Sequence, residues 1–342
     1  MNRIAAYCGL IISSLASAAH SAIPIKTADA VHVVRTFRGP DGFWDYPSID
    51  DAEHLLLVGR IDGVTSVDLT TGKLTPRLIA GNVVHSVVPL ANGRAMAMSG
   101  NDHKAIIFNV HSGKIYAKID TGGHPDAAVL EPTTQMVLVS NKESGEVAII
   151  DPVRARLLAS IPVGGDLEFI AADGRGRVYV NISNTNKIAV IDVGSKMVVG
   201  HLALPRCAEP SGLAIDPQSG TLVSACSNGI AVLMKIDGSG ARTVAIGAGP
   251  DGVTFDPRAR RFLIPCGKDG VIAVVAEDAD GKKGVRLLRG IRGARTGALD
   301  AASGLFYVPT AVSLPAVGGT RPGHVPGTFK IVGLRIPSGE QY

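Results

Sequence analysis

Seven times between residues 31 and 336 the chain repeats one pattern, a short apolar run that stops at a turn. In six copies the run stops at an acid: Asp50, Glu131, Asp173, Asp216, Asp256 and Asp300, with Leu90 in the second copy. Successive copies stand 40, 41, 42, 43, 40 and 44 residues apart. A copy of this size cannot bury its apolar faces alone, so the copies must stack on one another. A period near 40 with several short strands per copy is the signature of a β-propeller, each copy making one blade around a central channel.

The interior of a copy supports that reading. The third copy holds Ala127–Leu130, Met136–Ser140, Glu146–Ile150 and Leu157–Ile161, runs of branched residues bounded by Gly, Pro, Asn and Asp. No stretch has the longer amphipathic period of a helix. The expected fold is therefore all-β, a seven-bladed β-propeller with four-stranded antiparallel blades spanning residues 31–336 as one domain. The last copy ends at a strand over Phe329–Ile336 with no fourth strand after it, while Val31–Phe37 reads as an outermost strand with no blade of its own. The N-terminal strand is expected to join the last blade and close the ring, which removes an open sheet edge. Within that blade, Ala311–Gly327 is a long Gly- and Pro-rich excursion, the kind of loop that often serves function.

The first 22 residues differ from the rest. Arg3 is followed by an apolar stretch from Ile4 to Leu15 and then by small residues, with cleavage expected after Ala18 or Ala22. This reads as a secretory signal peptide over residues 1–22, and the protein is expected in a periplasm or secreted. No later segment is long and apolar enough to span a membrane. Export permits disulfides, and three cysteines follow the signal. Cys207 lies in the turn leading into the fifth copy and Cys226 ends that copy's second strand, so a Cys207–Cys226 bridge is expected, worth about 3 kcal/mol in the chain-entropy model. Cys266 holds in the sixth copy the place of Cys226 in the fifth, and is left as a free thiol.

Register carries the functional signal. Five residues before each anchor stand Asp45, His85, Asp126, Glu168, Ser211, Asp251 and Arg295. Equivalent positions of a propeller face one axis, so these side chains are expected to converge at the channel mouth as a ligand-binding ring. Four acids against one arginine give the ring a charge near −3 in a protein of net charge +4. Such crowding calls for raised pKa values, an internal partner or a bound cation. Turn capping would explain each acid singly, but not His85, Glu168 or Arg295. Imidazole with carboxylates suits a divalent metal, and His85, Asp126 and Glu168, from adjacent blades, are the candidate ligands. The polar turns after the second strands, Arg60, Asn101–His103, Asn141, Lys142, Asn184, Asn186, Asn228 and Lys268, are read as a second rim of ordinary turn residues. His111, His201 and His324 are expected at exposed edges.

The Asn-tipped second strands Tyr179-Val180-Asn181 and Leu138-Val139-Ser140-Asn141, with third strands ending Ile-Asp, resemble the YVTN-repeat (YncE-like) seven-bladed propeller family. So do the segments that open the blades, such as Trp44-Asp45-Tyr46, Pro125-Asp126-Ala127 and Gly249-Pro250-Asp251, and the similarity runs from about residue 31 onward. The resemblance implies the fold and leaves activity open, because related propellers include lactonases, lyases, electron-transfer partners and proteins that only bind.

Three functions fit the ring. One is binding of a small polar or cationic ligand, with a metal ion as possible cofactor. The second is a hydrolase or lyase acting on a lactone or carboxylated sugar, with His85 as base, Arg295 clamping a carboxylate or stabilising an oxyanion, and Glu168 among the acids that orient them. The third is a non-catalytic scaffold for an envelope protein. Nucleic acid is not an expected partner: aromatics make up 4% of the chain, and its one tryptophan, Trp44, adjoins the acids. The protein is expected to be a monomer.

Overall fold

Each copy of the repeat folds into one antiparallel four-stranded sheet, and seven such sheets form the ring. The computed structural model describes residues 30–277, 283–315 and 323–337. The expected signal segment lies outside them, as do residues 316–322 of the long excursion. Within blade one the strands run Trp44–Asp50, Leu55–Arg60, Gly63–Asp68 and Leu74–Ala80 from the axis outward. Blade seven takes its inner three from Ala298–Asp300, Leu305–Thr310 and Lys330–Arg335, and its outermost from His32–Arg38 near the other end of the chain. His32 pairs with Arg335 and Arg38 with Lys330, so the N-terminal strand closes the ring. Among the described residues there is no α-helix, only a single 3-10 turn at Ser183–Thr185.

Burial follows distance from the axis. The second strands Leu55–Arg60 and Thr221–Cys226 are buried at every position, because a blade's middle strands are covered on both faces by neighbouring blades. The outermost strand Met197–Ala203 alternates exposed and half-buried residues, as an edge strand does. The core is accordingly seven clusters, each wedged between two blades. Trp44, Leu56 and Val58 of blade one pack against Tyr307, Phe329 and Ile331 of blade seven, so the closure is apolar as well as hydrogen-bonded.

The repeating acids hold the turns between inner and second strands. Asp256 Oδ1 accepts the backbone N–H groups of Arg258 and Ala259, each at 3.1 Å. Glu131 accepts those of Thr133 and Thr134 and also Gly176 of the next blade at 3.2 Å. The second copy has no acid there because its turn is made by the left-handed pair Asn92 and Gly93, with φ of 62° at both, a conformation these two residue types tolerate well.

Candidate functional site at the channel mouth

The register that carries the ring coincides with a break in the sheets. In blades one to five the pairing between inner and second strands skips two residues, between Trp44 and Pro47, Val84 and Val87, Pro125 and Ala128, Leu167 and Ile170, and Pro210 and Leu213. Asp45, His85, Asp126, Glu168 and Ser211 each sit in that gap. A bulge frees a residue from the ladder and re-aims its side chain, and here it aims five of them at the axis. In blades six and seven the inner strands shorten to Thr254–Asp256 and Ala298–Asp300, which leaves Asp251 and Arg295 ahead of them.

The inner segments are then stitched to one another. Ser86 Oγ donates to the Asp126 carbonyl at 2.6 Å, the Asp251 and Gly252 amides donate to the Arg295 carbonyl, and Thr296 Oγ1 donates to the Asp45 carbonyl at 3.3 Å across the closure. Tyr46 crosses to blade four and meets the Phe169 ring edge-on at 5.0 Å, forming a floor beneath the mouth.

Above that floor lies a cavity of about 500 Å³ lined by six of the seven register positions, Arg295 alone lining only the adjoining cavity. At its centre the ligand atoms of Asp45, His85 and Asp126 lie within 4.8 Å of one another, a group able to hold a metal ion. His85 Nδ1 is 2.7 Å from Asp45 Oδ2 and 3.3 Å from Asp126 Oδ1. Glu168, expected to share an ion with His85 and Asp126, is instead paired with Lys142, and Asp45 stands in its place beside His85. Arg295 Nε donates to Asp251 Oδ2 at 2.7 Å and its Nη2 to the Trp44 carbonyl at 2.6 Å. It therefore clamps a carboxylate of the protein itself.

The buried charges shift one another. Burial first, and the Asp45 and Glu168 charges after it, push Asp126 up to about 7 against the pull of His85. Burial opposes the charge on His85, but the Asp45 hydrogen bond and the two carboxylates outweigh it and its pKa rises. Burial likewise raises Glu168 despite Lys142. Among the described residues Asp126 Oδ1 is buried without a hydrogen-bond partner, although His85 Nδ1, bonded to Asp45, lies 3.3 Å away.

Three contributors escaped the sequence reading. His124 Nε2 is 3.0 Å from His85 Nε2, and its own pKa is lowered by burial and by the His85 charge. With Nε2 of His85 engaged there, Nδ1 is the nitrogen left to the carboxylates, a positioning contact of the kind metal-bound histidines make. His124 carries the left-handed φ of 59° and stands two residues before Asp126, so only the turn geometry brings it inward. Lys142 belongs to the turns taken as a second rim. Antiparallel pairing of Pro125 with Asn141 and of Trp44 with Arg60 puts those turns at the same mouth as the ring, so there is one rim and not two. The third is His324, expected at an exposed edge, which meets the Trp44 ring at a tilt of 41° with centroids 4.6 Å apart. Arg60 is structural: it is buried, donates to the Phe43 and Pro40 carbonyls, and lies 3.8 Å over the Phe329 ring.

Cys207 and Cys226 are bonded, with Cα atoms 5.5 Å apart, and Cys266 is free and buried. Among the described residues no helix is long and apolar enough to cross a membrane.

No family model and no curated protein matches the sequence. Among solved structures the chain is similar to hydrazine synthase of Kuenenia stuttgartiensis, at 14% identity and a TM-score of 0.66, over 81% of this chain and 94% of that one. A likeness at that identity speaks for the propeller fold alone.

Proposed function

We infer that the protein is an exported propeller of the YVTN-repeat (YncE-like) kind whose channel mouth binds a divalent cation at Asp45, His85 and Asp126, and through it a small polar ligand. The observation that carries this reading is Asp126 Oδ1, a carboxylate oxygen buried without a hydrogen bond, 3.3 Å from an imidazole nitrogen that already has a partner. A buried carboxylate without a donor is costly. A cation between Asp126, Asp45 and His85 Nδ1 satisfies it and displaces the Nδ1 proton. Two carboxylate oxygens and one imidazole nitrogen suit Mn²⁺, Fe²⁺ or Zn²⁺, and the open cavity above leaves room for ligand oxygens to complete the shell. Export rests on the Arg3 and Ile4–Leu15 segment with its small residues, together with the disulfide. The reading makes the protein a periplasmic or secreted binding protein.

The test is elemental analysis of protein purified without chelator, followed by calorimetric titration of stripped protein with Mn²⁺ and Zn²⁺. About one ion per chain is expected for the wild type and none for His85→Ala, with the fold of His85→Ala intact by circular dichroism. Equal metal content in the two proteins would remove the site.

A further inference from the structure

The mouth is divided by charge. The cavity over His85 is lined by six carboxylates, those of Asp45, Asp126, Asp166, Glu168, Glu209 and Asp251, with Lys142 as its one lysine. A second cavity of about 600 Å³ adjoins it over blades five to seven and shares Phe43, Ser227, Pro250 and Asp251 with the first. There the balance reverses: among the described lining residues, Lys268, Arg292 and Arg295 face Asp251 as the only carboxylate. Arg295 is committed to Asp251. Lys268 and Arg292 have no carboxylate within ion-pair distance among the described residues.

Both residues are exposed at the rim. Arg292 Nη1 donates to the Lys268 carbonyl at 2.5 Å, which sets the guanidinium beside the lysine and leaves the rest of its fork for an oxyanion. Gly249 has φ of +73°, and a Cβ there would stand 2.6 Å from Lys268 Cγ, so glycine is what allows the lysine stem to lie along this wall. The remaining lining includes Phe43 and Pro250, shared by the two cavities, and His324, tilted at 41° against the Trp44 ring. Charges alone would suit an inorganic anion, whereas this wall suits a carbon skeleton.

We propose that the second cavity is an anion subsite and that the ligand of the mouth is an organic acid bearing at least two anionic oxygen groups. One group is held by Lys268 and Arg292, the carbon body lies over Phe43 and Pro250, and another oxygen reaches the cation at Asp45, His85 and Asp126. The full ligand rests on the cation reading above; the basic subsite stands on its own lining.

The chain supplies its own reporter, because Trp44 is its one tryptophan and lies against Arg295 and His324 at the subsite. The experiment titrates the purified protein with citrate in metal-free buffer and follows Trp44 emission, comparing wild type, the double variant Lys268→Glu with Arg292→Glu, and Lys196→Glu as a control. Lys196 lies in the turn between the third and outermost strands of blade four, on the opposite face of the ring, and is exposed. Saturable citrate binding to the wild type is expected, weakened at least about tenfold in the double variant and within about twofold of wild type in the control, while Mn²⁺ binding survives the double substitution. No citrate binding to the wild type, equal binding in the double variant, or an equal loss in the control overturns the subsite. Inorganic phosphate binding as tightly as citrate overturns the organic acid. Because this titration contains no metal, a wild type that binds citrate but not Mn²⁺ sinks the cation reading and the two-part ligand while upholding the basic subsite.

Discussion

Replacing Asp126 with Asn removes the charge that the ring holds at greatest cost. The residue is 4% exposed, and burial leads the causes that move its pKa from 3.8 to about 7. That displacement corresponds to at most about 4 kcal/mol. A carboxyl whose folded pKa lies above its unfolded value contributes stability that is fully present below about pH 4 and lost as pH rises through about 7. The metal-free wild type should therefore lose stability between pH 4 and 7. Asp126→Asn keeps the shape without the charge, so the loss attributable to this position disappears. His85, with its raised pKa, also loses stability as pH rises, and because the Asp126 charge is one cause of that rise, Asp126→Asn lessens both losses.

With unfolding entropy of about 2 cal/mol/K per residue, a chain of this size gains at most about 6 °C in Tm from 4 kcal/mol. Thermal unfolding in EDTA should show Asp126→Asn about 2–6 °C above wild type at pH 8 and level with it near pH 4. Mn²⁺ at about 1,000 times its Kd should close that gap at pH 8, since it stabilises the state it binds by about 4.1 kcal/mol and the variant has lost a ligand atom. A variant equally destabilised at both pH values would refute the reasoning, for it would show Asp126 to be an ordinary hydrogen-bond acceptor of the turn.

Two further outcomes follow from the frame. Deleting residues 30–38 strips the outermost strand from Lys330–Arg335 and should yield aggregated protein by light scattering; a soluble deletion with unchanged Tm would contradict closure. Non-reducing peptide mapping should recover Cys207 joined to Cys226, and replacing both with Ser should cost about 3 kcal/mol in chemical unfolding for their separation of 19 residues. Cys266, whose pKa burial pushes up to about 12, should stay unlabelled by thiol reagents until the protein unfolds.

The blades were legible because the two signals that specify them are local. A strand's branched residues and the acid that caps its turn lie within one copy, so reading Asp256 or Glu131 required no knowledge of distant contacts. Closure was legible for a related reason: the absent fourth strand of the last copy and the spare strand at residues 31–37 are complementary lacks. The ring was legible as a register, since equivalent positions must face one axis. Its internal pairing was not. Which acid meets His85 depends on side-chain reach across blades, so Asp45, 40 residues away, took the place expected of Glu168. Lys142 and His124 were missed because each lies in a turn whose polar composition is what any turn would show. Their inward aim comes from backbone conformation, the positive φ of His124 in particular, and that does not show in residue type.

The break in pairing at the head of blades one to five joins fold to site. A ladder continued to the mouth would hold each of these backbones in pleated alternation, leaving neighbouring side chains on opposite faces of the blade. Skipping two residues costs ladder hydrogen bonds, and the structure replaces them between blades through Ser86, Ser211, Thr296 and Asn181. Those replacements tie blade two to three, four to five, five to six and seven to one, so the arrangement that frees the ring side chains also restrains their mutual distances. Asp45 and His85 can then be held 2.7 Å apart although they belong to different blades. Ring residues bonded only within their own turns would move with separate blades, and a cation among them would gain little from the fold. Bonded across blades, they form a preorganised set, with the unfavourable charge of Asp126 held at a fixed place within it.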